Sequence, residues 1–112
     1  MGDRQHKFNP TNIFLYQSKK QLKGSIKGDE LRQELEGQRV LNVNVLDCLL
    51  AHPDLIPEEW KEKYIFFFGT IYRNSRGNLF VRYLRWNGSE WIWICLWLVS
   101  GFPANCFSAV AS

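Results

Sequence analysis

Between residues 64 and 98, hydrophobic side chains recur in three runs that are separated by turn-forming residues. The runs cover residues 64–72, 79–86 and 90–98, and they are rich in the aromatic and β-branched residues that favour strands. The first turn is Asn74-Ser-Arg-Gly77 and the second is Asn87-Gly88. The pattern therefore predicts a three-stranded antiparallel β-meander.

The two turns also predict how the strands pair. A turn closed by Gly77 sets Asn74 opposite Asn78, and the same register sets Phe68 opposite Leu84 and Gly69 opposite Tyr83. A two-residue turn at Asn87-Gly88 sets Arg85 opposite Glu90 and Arg82 opposite Trp93. These registers assign each residue of the meander to one side of the sheet.

The two predicted sides differ in chemistry. One side, the aliphatic face, collects Ile65, Phe67, Gly69, Ile71, Leu79, Val81, Tyr83, Ile92, Ile94, Leu96 and Leu98. The other side, the aromatic face, collects Tyr64, Phe66, Phe68, Thr70, Tyr72, Phe80, Arg82, Leu84, Trp86, Trp91, Trp93, Cys95 and Trp97. An antiparallel sheet with two apolar faces must be covered on both, so we expect the chain or a partner to cover the aromatic face.

Helical patterns precede the meander at residues 29–36, 45–51 and 57–62. Asp29 and Asn44 are suited to cap the first two helices, and Pro57 is suited to the first position of the third. Leu49 and Leu50 belong to an apolar stripe that we expect to pack on the aliphatic face, against Val81, Ile92 and Ile94. The predicted fold class is α+β, with short helices packed on the three-stranded antiparallel meander.

The 112 residues are enough for one domain. We expect residues 1–28 to form a partly flexible N-terminal arm and residues 29–112 to form a single α+β domain. Ile13 begins a short apolar run in the arm, and the tail from Ser100 is also weakly apolar. Either segment could cover the aromatic face, and the sequence leaves both open.

Composition narrows the class of protein. Hydrophobic residues make up 46% and charged residues 22% of the chain, which is typical of a globular domain, and the net charge is a modest +3. Three scattered cysteines have no metal-binding spacing, so we expect buried free thiols and a reducing, cytoplasmic location. The sequence predicts no cofactor, no metal site, no signal peptide and no membrane-spanning segment.

No catalytic constellation is recognisable. His6 lies in the predicted arm, and His52 lies at a helix end, where it more naturally faces the last carbonyls. Asp54, Glu58, Glu59 and Glu62 fit a helix terminus and a solvated surface. We therefore expect a protein that is not an enzyme.

The predicted binding residues lie on the aromatic face. They are Thr70, Tyr72, Arg82, Trp86, Trp91, Trp93 and Trp97, with the Arg82 guanidinium over the Trp93 ring. Such a pair can simply solubilise a packed face, or it can hold a planar ligand or a protein partner. The favoured interpretation is a protein-interaction module or homodimer; the alternative is a single-stranded nucleic-acid binder that also uses Lys19, Lys20 and Lys23.

Two strings carry a resemblance to other sequences: Val45-Leu-Asp-x-Leu-Leu-x-His-Pro-x-Leu-Ile-Pro-Glu-Glu-Trp-Lys61 and Phe66-Phe-x-Gly-Thr-Ile-Tyr-Arg-Asn-Ser-x-Gly-Asn-Leu-x-Val-Arg-Tyr-Leu84. The chain resembles a group of small uncharacterised hypothetical proteins from uncultivated candidate-phyla bacteria. The resemblance covers residues 40–112 closely and the N-terminal third loosely. It implies a bacterial protein but no activity, cofactor or site residue.

Overall fold

A computed structural model describes residues 12–111 as a mixed α+β fold. Its helices are α1 (Lys19–Leu22), α2 (Gly28–Glu34) and α3 (Val43–Ala51), followed by 3₁₀ turns at Pro53–Leu55 and Glu58–Glu62. Its strands are β1 (Ile13–Tyr16), β2 (Ser25–Lys27), β3 (Tyr64–Phe66), β4 (Tyr72–Arg73), β5 (Leu79–Trp86), β6 (Trp91–Trp97), β7 (Gly101–Pro103) and β8 (Cys106–Ala111).

Six strands form the main sheet, and β2 pairs with β7 in a separate two-stranded ribbon. β6 pairs with β5 along its whole length, so β3 and β4 share the opposite edge of β5. β8 follows beside β3, in the one parallel pairing among the described strands, and β1 lies beyond β8. The sheet is therefore larger than the predicted three-stranded meander and mostly antiparallel, and β6 lies at one of its edges.

The first predicted strand, residues 64–72, is broken into β3 and β4. Tyr72 lies opposite Phe80, which confirms the predicted register of the first hairpin. In β3, however, Ile65 lies opposite Leu84, a position that was predicted for Phe68. This displacement of three residues is odd, so it exchanges the two faces of β3.

Gly69 explains the break. Its N–H donates to the Leu41 carbonyl at 2.8 Å, so the chain leaves the sheet ladder to bond with the segment that enters α3. A Cβ atom at this glycine would lie 2.7 Å from the Leu41 backbone, which only glycine avoids. The Thr70 hydroxyl then accepts a hydrogen bond from the Val43 N–H at 3.2 Å. The Phe67 N–H still donates to the Arg82 carbonyl of β5 at 3.1 Å, whereas Gly69 and Thr70 bond to the segment that enters α3.

The second hairpin also differs from its predicted register. Trp86 lies opposite Trp91, and Arg85 lies opposite Ile92 instead of Glu90, so the loop is Asn87–Glu90 and has four residues. The Asn87 side-chain oxygen accepts hydrogen bonds from the N–H groups of Ser89 and Glu90, both at 2.9 Å, which stabilises the longer loop. The displacement here is two residues, so the faces of β6 stay as predicted.

Replacing Gly88 by valine is expected to destabilise the protein by about 1–3 kcal/mol. Gly88 has φ +105, and no heavy atom lies within 4 Å of a Cβ built there, so the cost comes from the backbone conformation and not from a clash. Chemical denaturation of Gly88→Val and of the neighbouring control Ser89→Ala measures it. An unfolding midpoint for Gly88→Val equal to that of the control would contradict the loop conformation.

Two hydrophobic cores lie on opposite faces of the sheet. The first core joins Phe66, Phe68, Val81 and Tyr83 to side chains of β2, α2 and β7, among them Ile26, Leu31 and Phe102. The second core joins Ile65, Phe67 and Leu84 to α3 and the 3₁₀ turns, through Leu46, Leu49, Ile56 and Trp60. The expected packing of Leu49 and Leu50 on Val81, Ile92 and Ile94 is therefore wrong.

Both termini of the described chain join the sheet. β1 pairs with β8, and α1 begins with a capping box in which Ser18 accepts from the Lys20 N–H and Gln21 accepts from the Ser18 N–H. Residues 13–27, which were expected to belong to the N-terminal arm, thus contain β1, α1 and β2, and Gly28, its last predicted residue, begins α2. Residues 1–11 of that predicted arm, with His6, lie outside the described residues.

The helix boundaries are shifted from those predicted. α2 begins one residue before Asp29, and α3 is capped by Asn42, whose side chain accepts from the Asn44 N–H at 3.0 Å. Asn44 is therefore a residue of the first turn and not the cap. The third predicted helix, 57–62, is the 3₁₀ turn Glu58–Glu62.

Candidate functional site

The predicted aromatic face is divided by α3 into a covered part and an open part. The covered part contains Leu84, which is fully buried under α3 and Trp60. The open part, here called the open patch, consists of Tyr72, Phe80, Arg82, Trp93, Cys95 and Trp97. Trp93 is 43% and Trp97 is 44% exposed, far more than tryptophans usually are in a folded domain.

The rings of the open patch support each other across strands. Tyr72 of β4 stacks on Phe80 of β5 with ring centroids 5.3 Å apart and planes 15° apart. Phe80 in turn meets its cross-strand partner Trp97 edge to face at 5.2 Å. Cross-strand aromatic pairs of this kind hold the rings in place, so the patch is a preformed surface.

Arg82 lies at the centre of the open patch. It faces Cys95 across the ladder rather than Trp93, and its guanidinium carbon lies 4.0 Å from the Trp93 ring centroid and 4.6 Å from that of Tyr72. The guanidinium thus reaches Trp93 diagonally, so the expected cation–π contact is present although the register differs.

The charge of Arg82 is not neutralised within the described chain. Its guanidinium forms no ion pair with a carboxylate of residues 12–111, and its buried Nε has no hydrogen-bond partner there. Strands β4, β5 and β6 contain Arg73, Arg82 and Arg85 but no acidic residue. The rings of Tyr72 and Trp93 hold the guanidinium in position, and no acceptor among residues 12–111 receives a hydrogen bond from it.

Trp86 and Trp91 lie at the other end of β5 and β6, beside a cleft of about 390 Å³. Their rings meet edge to face at 5.5 Å, and the Lys61 Nζ lies 4.1 Å from the Trp86 ring. Lys61 also pairs with Glu58 at 2.8 Å, so this cation is already neutralised. Pro53, Asp54 and Ile56 complete the cleft wall. Trp86 and Trp91, which were predicted as binding residues, therefore line this cleft and not the open patch. The sequence did not predict that Pro53, Asp54 and Ile56 lie beside them, because only tertiary packing brings the 3₁₀ turns to the strand ends.

Thr70 and the lysine segment, which were also predicted to take part in binding, lie away from the open patch. The Thr70 hydroxyl is occupied by the Val43 N–H at the entry to α3, as described above. Lys19 and Lys20 belong to α1, which packs against β2 and β7 in the layer that covers the opposite face of the sheet. Lys20 is moreover paired with Glu30 at 3.1 Å. The structure therefore does not bring the lysine segment and the tryptophans together.

The open patch borders an unpaired sheet edge. The bonds from the Asn87 N–H to the Glu90 carbonyl and from the Leu98 N–H to the Leu79 carbonyl fix the alternation of the β5–β6 ladder. By that alternation Trp91, Trp93, Cys95 and Trp97 direct their main-chain groups away from β5. No strand of residues 12–111 pairs with this side of β6, so the edge presents free donors and acceptors beside exposed rings.

The remaining reactive groups are dispersed. All three cysteines are free thiols, but only Cys106 is buried; Cys48 and Cys95 are partly exposed, contrary to the expectation of three buried thiols. Burial raises the pKa of the Cys106 thiol to about 12.

Within residues 12–111 no three His, Cys, Asp or Glu side chains are grouped to hold a metal ion. No helix in the same range is long and apolar enough to cross a membrane.

Comparison with known proteins adds no family to this description: no protein-family model, no curated protein and no solved structure matches the chain.

Proposed function

We propose that this protein is a small non-catalytic binding module that contacts another protein, or a second copy of itself, through the open patch. The observation that carries the proposal is the placement of Trp93 and Trp97, both more than two-fifths exposed, on a strand whose outer edge pairs with no strand of residues 12–111. Soluble domains seldom leave such rings in water without a use, because each exposes a large apolar area.

The composition of the open patch supports a protein partner. Tryptophan, tyrosine and arginine are the residues that most often dominate the binding energy of protein interfaces. Here Arg82 is fixed by Tyr72 and Trp93, so little side-chain entropy is lost when a partner binds it. The patch and the edge of β6 are continuous, which offers a partner both apolar contact and main-chain hydrogen bonds.

Single-stranded nucleic acid is the second candidate ligand. The stacked rings of the open patch and the unpaired Arg82 would suit bases and a phosphate. The distribution of lysines weighs against it, because Lys19 and Lys20 belong to the layer on the far side of the sheet. A strand bound at the patch would lack the cationic track that gives such proteins most of their affinity.

Replacing Trp93 by alanine is expected to weaken the protein contact at least tenfold, because the change removes a central aromatic anchor. Sedimentation of the wild type over a range of concentrations measures self-association, and Trp93→Ala measures the contribution of the ring. Phe14→Ala is the matched control, since Phe14 is also exposed but lies on β1, at the opposite edge of the sheet. The control is expected to associate like the wild type.

A labelled oligonucleotide titrated at two salt concentrations distinguishes the second candidate. We expect no appreciable binding at physiological salt. A monomeric protein that binds the oligonucleotide, and loses it as salt rises, would replace the protein-interaction proposal by the nucleic-acid one.

A further inference from the structure

The open patch and the edge of β6 together specify the chemistry of a partner. We propose, resting on the function proposed above, that the partner is an extended peptide strand that adds to the outer edge of β6 and places one acidic side chain on Arg82.

The edge meets the requirements for strand addition. Trp93 and Cys95 keep both their N–H and C=O groups unbonded within residues 12–111, whereas the Trp97 carbonyl accepts from the Ser100 N–H. No charged residue, proline or glycine interrupts Trp91–Trp97, so the strand lacks the features by which exposed edges usually prevent pairing. A peptide backbone matches these alternating donors and acceptors, whereas a nucleic acid does not.

The position of Arg82 specifies an acidic side chain. A strand added to β6 would lie two strand spacings, about 10 Å, from β5. The Arg82 guanidinium already leans from β5 over Trp93 of β6, so a carboxylate on the added strand can meet it above β6. Side chains of directly opposite residues share a face, so a glutamate opposite Cys95 would point into the open patch.

Charge complementarity favours this partner over a second copy of β6. Strand β6 contains no charged residue, so a second β6 would bring no carboxylate to neutralise Arg82. A carboxylate would supply a charge-assisted hydrogen bond, which is about twice as strong as a neutral one. The guanidinium, which Tyr72 and Trp93 hold in place, would donate this hydrogen bond.

A nine-residue fluorescent peptide of alternating threonine and valine, with glutamate at its central position, is the probe. Fluorescence anisotropy with the full-length protein is expected to show binding, and the same peptide with central glutamine is expected to bind at least tenfold more weakly. Arg82→Gln should abolish the difference between the two peptides. Arg85→Gln is the matched control: it removes the same charge from the same strand, but Arg85 points to the opposite face, towards Tyr64. It should preserve the tenfold preference.

Main-chain pairing is tested without altering the protein. For a peptide that adds antiparallel to β6, N-methylation at positions 5 and 7 removes the N–H groups that would face the unbonded carbonyls of Cys95 and Trp93, and it is expected to lower affinity at least tenfold. N-methylation at positions 4 and 6, whose N–H groups point away from β6, should have a much smaller effect. Equal losses in the two methylated peptides would overturn strand addition.

Four other results would overturn the inference. Equal binding of the glutamate and glutamine peptides, or equal losses in Arg82→Gln and Arg85→Gln, would remove the assignment of a carboxylate to Arg82. A protein that binds neither peptide but sediments as a Trp93-dependent dimer would identify a second copy as the partner, so the proposed function would stand and this inference would fall. A monomer that binds the oligonucleotide would overturn both.

Discussion

Replacing Phe66 by alanine is expected to lower the free energy of unfolding by about 3–5 kcal/mol. Phe66 is fully buried in the first core, where its ring stacks on Tyr83 at 4.5 Å and contacts Phe102 at 4.8 Å. Alanine would leave a cavity between the central sheet and the β2–β7 ribbon, and the rigid β3–β5 ladder limits how far the surroundings can collapse. Urea denaturation followed by circular dichroism measures the loss.

Phe14→Ala is the control for this substitution. Phe14 is a strand residue of the same type but is 54% exposed, so its truncation should cost about 1 kcal/mol or less. Comparable losses for Phe66→Ala and Phe14→Ala would contradict the assignment of Phe66 to the core. They would instead agree with the sequence-based register, in which Phe66 lies on the aromatic face.

Replacing Leu49 by alanine is expected to cost about 2–5 kcal/mol. Leu49 is fully buried in the second core, between α3 and the sheet face that carries Ile65, Phe67 and Leu84. The loss reports the docking of α3, because the hydrogen bonds of a nine-residue helix alone are marginal in water. Leu55→Ala is the control, since Leu55 is 39% exposed and lies in the following 3₁₀ turn.

A double-mutant cycle identifies the face on which α3 docks. Leu49→Ala and Leu84→Ala remove side chains of one core, so their effects should couple by about 0.5 kcal/mol or more. Val81 belongs to the other core, so Leu49→Ala and Val81→Ala should be additive within about 0.5 kcal/mol. Coupling of Leu49 to Val81 but not to Leu84 would place α3 on the opposite face.

The local pattern located β4, β5 and β6 along the chain, although the β5–β6 register is displaced by two residues from the predicted one. β5 and β6 have nearly the predicted bounds, and Tyr72 pairs with Phe80 as predicted, because turn residues and alternation act over short distances. Gly77 and Gly88 both have positive φ, as turns at these positions require. The expectation that Trp91, Trp93 and Trp97 share a face with Arg82 is likewise confirmed, since a shift of two residues preserves it.

One signal in the sequence was overlooked. Ser18-Lys-Lys-Gln21 matches a capping box, which predicts the start of a helix, and α1 begins there. Gln21 is buried and donates to the carbonyls of Pro103 and Cys106, so this short helix ties residues 18–22 to the C-terminal strands. The capping box that begins α1 was recognisable in the sequence, but the hydrogen-bond partners of Gln21, which lie more than eighty residues away, were not.

Sequence alone determined the α+β class, the presence of strands β5 and β6 and the side of the sheet on which the β6 tryptophans lie, because alternation and turn chemistry are local. Tertiary structure decided which side α3 covers. That choice depends on the close approach of Gly69 to Leu41, which breaks the first strand and exchanges the faces of β3. It also decided that β1 and β8 extend the sheet beyond β3, while β6 lies at an edge with no further partner among residues 12–111. Long-range strand pairing and close backbone contacts produce no periodic pattern in the sequence. The extent of the open patch around Arg82 therefore cannot be predicted without the tertiary structure.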